Sequence, residues 1–89
     1  MYKIFYHKRA RKQLQKLPKS EQLRVNGKIR ELQDDPLNPK LDIKPYLNTQ
    51  NGFRLRIGKL RIIYAVVSKT KTIYIQYLGY RGDVNKHYN

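Results

Sequence analysis

The chain has no cysteine and only two histidines, His7 and His87. Without cysteine there is no disulfide framework and no thiolate metal site. Two imidazoles are too few for a structural zinc centre, so neither a metal nor a cofactor is expected. Acidic residues are scarce as well. Six Asp and Glu stand against 20 Lys and Arg, a formal net charge of +14 on 89 residues. A field of that size speaks of partners rather than of fold, and it points to polyanions: RNA, DNA, or an acidic protein that masks the charge. Long apolar runs are lacking too, and none approaches a membrane span or a signal-peptide core. The chain is expected to open on Met1 to Tyr6 with a structured segment, not a leader. A soluble, cytoplasmic protein with no membrane contact is expected. There is no repeat, no low-complexity stretch and no linker, so residues 1–89 are read as one domain with a single modest core.

What the chain does have is concentrated between Phe53 and Arg81. Phe53-Arg54-Leu55-Arg56-Ile57 alternates apolar and basic residues, the period of a strand with one buried face. Gly58-Lys59 makes a two-residue connection, with Gly free to take a positive φ. Leu60 to Val67 is almost wholly apolar and fits a central strand covered on both sides. After the polar turn Ser68–Lys71, Thr72 to Leu78 forms a third strand rich in Tyr and Ile. Together these make a three-stranded antiparallel meander.

If Phe53, Leu55 and Ile57 face the core, Arg54 and Arg56 point the other way, about 7 Å apart. Arg61 interrupts an apolar strand, where a charge is costly unless something pairs with it. Arg81 follows the third strand. Four guanidinium groups converging on one sheet face, with Tyr74, Tyr77 and Tyr80 near in sequence, suit phosphate and bases. The plainer alternative is that Arg54 and Arg56 merely solvate a strand. Arg61 is harder to explain that way.

Upstream, Tyr2 to Tyr6 reads as a further strand at a sheet edge. His7 to Leu17 reads as a helix with Ala10, Leu14 and Leu17 as its apolar stripe and basic residues elsewhere. Those basic residues suit a nucleic-acid face or simply a solvated one. Pro18 stops this helix, and Ser20 is the expected N-cap of a second, with Glu21 in its first turn. Val25, Ile29 and Leu32 form the buried stripe of that helix, flanked by Leu23. Gly27 suggests a close contact there. Leu37 to Gly52, with two prolines and an Asn-Gly, reads as a loop, with Leu41, Ile43 and Tyr46 tucked back against the core. The last eight residues, from Gly82, form a helical turn or a tail.

The block from Phe53 to Val66 and the later Leu78 to Val84 resemble the basic-strand, hairpin and Gly-x-Arg features of the RelE/ParE superfamily, the toxins of type II toxin–antitoxin pairs. The resemblance covers the whole chain and implies an α+β fold: an N-terminal strand and a two-helix hairpin packed on an antiparallel sheet, ending in the meander and a short tail. For the RelE-like branch it implies a metal-independent endoribonuclease (mRNA interferase) that cuts mRNA on the ribosome, with the 2′-hydroxyl as nucleophile. A cognate antitoxin protein is the implied partner. Such chemistry needs a base, positive charge on the phosphate and an acid for the leaving group. The family's basic site positions fall on Arg54, Arg56, Arg61 and Arg81. Two positions depart from the pattern. Arginine stands where many relatives carry Lys on the first strand, and it cannot act as a base. Asn85 stands where a Tyr is common, which leaves His87 and then Tyr88 as the tail groups able to move a proton. The other classes are a ParE-like DNA gyrase inhibitor, which would not need the arginine set, and a basic RNA-binding module without catalysis.

Overall fold

Period-2 alternation and β-branched content build a sheet in the C-terminal half, and one helical hairpin covers its apolar face. The computed structural model describes residues 1–47 and 50–80. In chain order the elements are β1 (Lys3–Tyr6), α1 (Lys8–Lys16), α2 (Lys19–Asp34), β2 (Asp42–Pro45), β3 (Gly52–Ile57), β4 (Leu60–Val67) and β5 (Thr72–Tyr80), with a 3-10 turn at Ser68–Thr70. The sheet order is β1-β5-β4-β3-β2. The meander falls where the alternation placed it, and the β3–β4 register closes at Ile57 opposite Leu60. That spacing leaves Gly58-Lys59 as the two-residue turn, and Gly58 takes a φ of +59°. A Cβ there would also come within 3.2 Å of the Arg24 guanidinium.

Several expectations are corrected. The sheet is mixed, not antiparallel, because β1 pairs parallel with β5 through Lys3–Thr72 to Tyr6–Ile75. Running parallel, β1 delivers α1 onto the stretch of β5 edge that β1 leaves uncovered. There the Gln13 side-chain oxygen accepts from the Leu78 backbone N–H at 2.9 Å, so the edge ends in a hydrogen bond and not in an open donor. The segment from Leu37 to Gly52 is not simply a loop. Asp42–Pro45 forms an edge strand, antiparallel to β3, short enough and close enough to proline to hide among turn residues. Ser20 is not a cap. Pro18 occupies that position with no side-chain bond, and its carbonyl accepts from the Gln22 N–H at 3.0 Å. The Gln22 side chain instead ties the helical hairpin together, donating to the Leu17 carbonyl at 2.8 Å.

The core lies between the hairpin and one sheet face. Ala10, Val25, Ile29 and Leu32 meet Leu55, Ile57, Leu60, Ile62, Tyr64, Ile73, Ile75 and Leu78, and Leu41 and Ile43 pack at its margin. Each fully buried aliphatic side chain here is worth about 1.5–3 kcal/mol. Tyr64 is fully buried, and its hydroxyl donates to the Pro36 carbonyl at 2.7 Å. Burial first, and then the Asp35 carboxylate, push its pKa well above the ordinary phenol value, so it stays neutral and donates. Leu23 flanks the α2 stripe in sequence but is exposed. Among the described residues, no helix is long and apolar enough to cross a membrane.

Gly27 makes no close contact, because a Cβ there would meet nothing within 4 Å. It is an exposed helix-interior glycine with nothing to compensate its flexibility. Gly27→Ala is therefore expected to stabilise the fold by about 1 kcal/mol, which raises the thermal midpoint by roughly 4–8 °C in a domain of this size. A calorimetric scan of the variant beside the parent checks it, and an unchanged or lower midpoint would contradict the open site.

Candidate phosphate-binding face

Strand alternation sends the second set of side chains of β3, β4 and β5 away from the helices. The registers arrange these in two neighbouring rows. Asp42, Arg56, Arg61 and Gly79 stand side by side across β2, β3, β4 and β5, and Lys44, Arg54, Ile63 and Tyr77 form the next row. Adjacent strands lie about 4.8 Å apart and successive residues on one face about 7 Å apart. Three of the sequence-predicted arginines, 54, 56 and 61, thus share one small area of sheet. Arg81, Asn85, His87 and Tyr88 lie outside the described residues.

Each of the three arginines is held differently. Arg61 is buried, with 7% of its surface exposed. Its Nη1 donates to the carbonyls of Gly58 at 2.9 Å and Leu60 at 3.0 Å. The charge that looked anomalous in an apolar strand is thus satisfied in part by the carbonyls of the hairpin turn it follows. Arg56 is exposed and faces Arg61 across the ladder, an unfavourable like-charge pairing. The Asp42 carboxylate on its other side offsets this, 3.9 Å from the Arg56 Nε. Both partners are about half exposed, so this pair adds little stability. Arg54 is half-buried, and its Nε is fully buried without an acceptor. A buried guanidinium N–H without a partner costs stability, which an ordinary solvating arginine would not.

Beside the arginines the face turns apolar. Ile63 and Tyr77 are buried together, with Tyr46 packed against them. Tyr46 therefore joins this face and not the main core, contrary to expectation. Tyr77 is there because of a bulge. Ile63 pairs with Tyr77 but Tyr64 pairs with Ile75, so Gln76 is an extra residue that reverses the alternation beyond it. Of the other tyrosines expected nearby, Tyr74 lies toward the opposite end of the sheet against Phe5, with ring centroids 5.5 Å apart. Tyr80 pairs with Leu60, whose side chain belongs to the core.

Three contributors carry little or no signal in the sequence. Asp42 and Lys44 were hidden with β2, although the polar-apolar-polar run Asp42-Ile43-Lys44 was a weak strand signal. Arg9, on α1, places its guanidinium carbon 5.3 Å from the centre of the Tyr77 ring, a cation–π distance. No sequence pattern marks that contact. As a chemical arrangement, the face offers planar donors at three points around an apolar floor. It suits a phosphate with a base beside it.

Comparison with known proteins agrees with the architecture. Residues 4–84 match the family described as the ParE toxin of type II toxin–antitoxin systems, parDE. The putative toxin RelE1 of Methanocaldococcus jannaschii is 31% identical over 87 residues, covering 97% of each chain. A chain of the archaeal RelE–RelB complex from Pyrococcus horikoshii superposes with a TM-score of 0.80 at 34% identity, covering 91% of this chain and 96% of that one. A chain of the E. coli RelBE toxin–antitoxin complex gives a TM-score of 0.79 at 16% identity, covering 90% of this chain and 96% of that one, a likeness of fold alone. With nearly the whole length matched by the family and by relatives of similar size, the chain belongs to the RelE/ParE family of type II toxin–antitoxin toxins.

Proposed function

We propose that this toxin is an endoribonuclease that cleaves mRNA on the ribosome, and that an antitoxin protein covers its arginine face until release. The observation that carries this is the set of Arg54, Arg56 and Arg61 on two adjacent rows of one sheet face. In this mechanism the 2′-hydroxyl attacks the neighbouring phosphorus and the 5′-oxygen leaves, giving a 2′,3′-cyclic phosphate. Arg61, fixed by two carbonyls, holds the scissile phosphate together with Arg81. Arg54 and Arg56 orient the phosphate and neutralise the charge that develops on it. None of the arginines moves a proton at neutral pH. That work falls to the tail, with His87 as first candidate and Tyr88 as second.

The Pyrococcus relative was crystallised as a RelE–RelB complex, which supports an antitoxin as partner here. An acidic one would complement the charge of +14. The match to the ParE family keeps a second target, DNA gyrase, as the competing reading. Two assays separate them. Purified toxin should arrest cell-free translation from a defined mRNA and leave gyrase supercoiling untouched. The reverse pattern would overturn the ribonuclease reading.

The tail gives a further expected outcome. Asn85→Tyr should raise cleavage, and His87→Ala should lower it and flatten its pH profile, both read by initial rates across roughly pH 5.5–8, the range where imidazole titrates. Activation by Asn85→Tyr with no effect of His87→Ala would remove the histidine from the mechanism.

A further inference from the structure

The basic face of α1 is not an independent solvated surface, because its position is locked to the arginine site. Five of its nine residues are Lys or Arg and none is acidic. Gln13 is fixed to the Leu78 backbone, and Arg9 to the Tyr77 ring. Both contacts are on β5, the strand beside Arg61. Residues 9, 12, 13 and 16 fall on one side of a helix. Arg9, Lys12, Gln13 and Lys16 line one open groove of about 480 Å³. Gln13 and Lys16 also line a second groove, of about 230 Å³, whose other wall includes Tyr77 and Gly79. The two grooves therefore meet along Gln13 and Lys16.

Gly79 is the link to the site. It stands directly opposite Arg61 in the β4–β5 ladder and carries no side chain to separate the arginine from the groove. From Arg56 the path runs through Arg61, across Gly79, to Lys16, and then along α1 to Lys12 and Arg9. Residues 9 to 16 span about 10 Å of helix axis, room for about two phosphates of an extended strand. Tyr77, beneath Arg9, ties the far end of the path back to the apolar floor of the site.

We infer that Lys12 and Lys16, with Arg9, form a backbone track that holds the substrate strand on one side of the scissile phosphate. The inference rests on the ribonuclease reading, since that reading supplies the strand. The track carries no base specificity, because lysine ammonium groups meet phosphates as point charges. It sets register and affinity, and the sheet face sets the chemistry.

The test uses the purified toxin and 2′-O-methyl RNA, which lacks the attacking hydroxyl, as a trimer and a decamer, with binding followed by fluorescence anisotropy over a salt series. Lys12→Gln combined with Lys16→Gln should weaken decamer binding about tenfold and reduce its log–log salt slope by about 1.4, or roughly 0.7 for each phosphate no longer neutralised. Trimer binding should stay unchanged. Arg61→Ala should weaken both lengths. Equal losses for trimer and decamer in the double variant, or no loss in either, would overturn the track. If the double variant lost only ribosome association and kept decamer binding, the stripe would belong to ribosomal RNA and the substrate track would be wrong. A trimer unaffected by Arg61→Ala would overturn the sheet-face reading itself, a result distinct from failure of the track.

Discussion

Arg61→Ala is expected to lower mRNA cleavage by about 10²–10³-fold, the usual effect of removing one preorganised donor from a charged transition state, and to abolish toxicity. The arginine is held before substrate arrives. Burial and two bonds from Nη1 to the Gly58 and Leu60 carbonyls fix its guanidinium, so little ordering remains to be done when a phosphate binds. The same bonds give the variant a second signature. Truncation removes this donor, and the bond lost from the buried Leu60 carbonyl costs about 1–3 kcal/mol. Stability should therefore fall along with activity. Arg61→Lys separates the two effects. It keeps the charge but replaces the planar guanidinium, whose single Nη1 donates to both carbonyls, with a flexible ammonium, so it should recover only part of the rate and of the thermal midpoint. The measurements are initial cleavage rates and thermal midpoints for both variants. Wild-type rate in a folded Arg61→Ala protein would move the phosphate site elsewhere.

Arg54→Met should separate the same two quantities in the opposite sense. Its Nε is buried without an acceptor, so the native state carries a desolvation cost of about 1–3 kcal/mol. Methionine fills a similar volume without that donor. Stability should stay level or rise, while cleavage falls by about 10²-fold because a donor to the phosphate is gone. A fold less stable for that side chain's sake persists where the charge serves a function. A denaturant midpoint that drops with Arg54→Met would show that the guanidinium is a structural element, and the functional account of Arg54 would fail.

Both arginines were legible in the sequence because strand periodicity is a local property. Once Phe53, Leu55 and Ile57 are assigned to a core, Arg54 and Arg56 have nowhere else to point. An arginine at position 61 inside an apolar strand announces itself for the same reason. What the sequence withheld was set by partners distant along the chain. The parallel entry of β1 depends on where β5 has an edge left to cover, which no local pattern of Tyr2 to Tyr6 records. Strand β2 is four residues long and is stabilised by β3 more than by its own propensity. The turn of Tyr77 onto the arginine face depends on one unpaired residue, Gln76, and a bulge cannot be read before the register is known. Gly27 suggests a close contact that the fold does not make. Ser20 has the chemistry of a cap, but Pro18, with its fixed φ, already occupies the position that opens the helix. Arg9 reaches the site only because α1 is laid along β5.

If the arginine face performs phosphoryl chemistry on mRNA, the cut RNA carries its signature in the chemistry of its ends. Ribosomes carrying a defined mRNA would be incubated with wild-type toxin or with Arg61→Ala, and the fragment termini identified. New fragments ending in a 2′,3′-cyclic phosphate are expected with the wild type, and about 10²–10³-fold fewer with Arg61→Ala. Intact mRNA with wild-type toxin, or the same fragments in equal yield from Arg61→Ala, would contradict it.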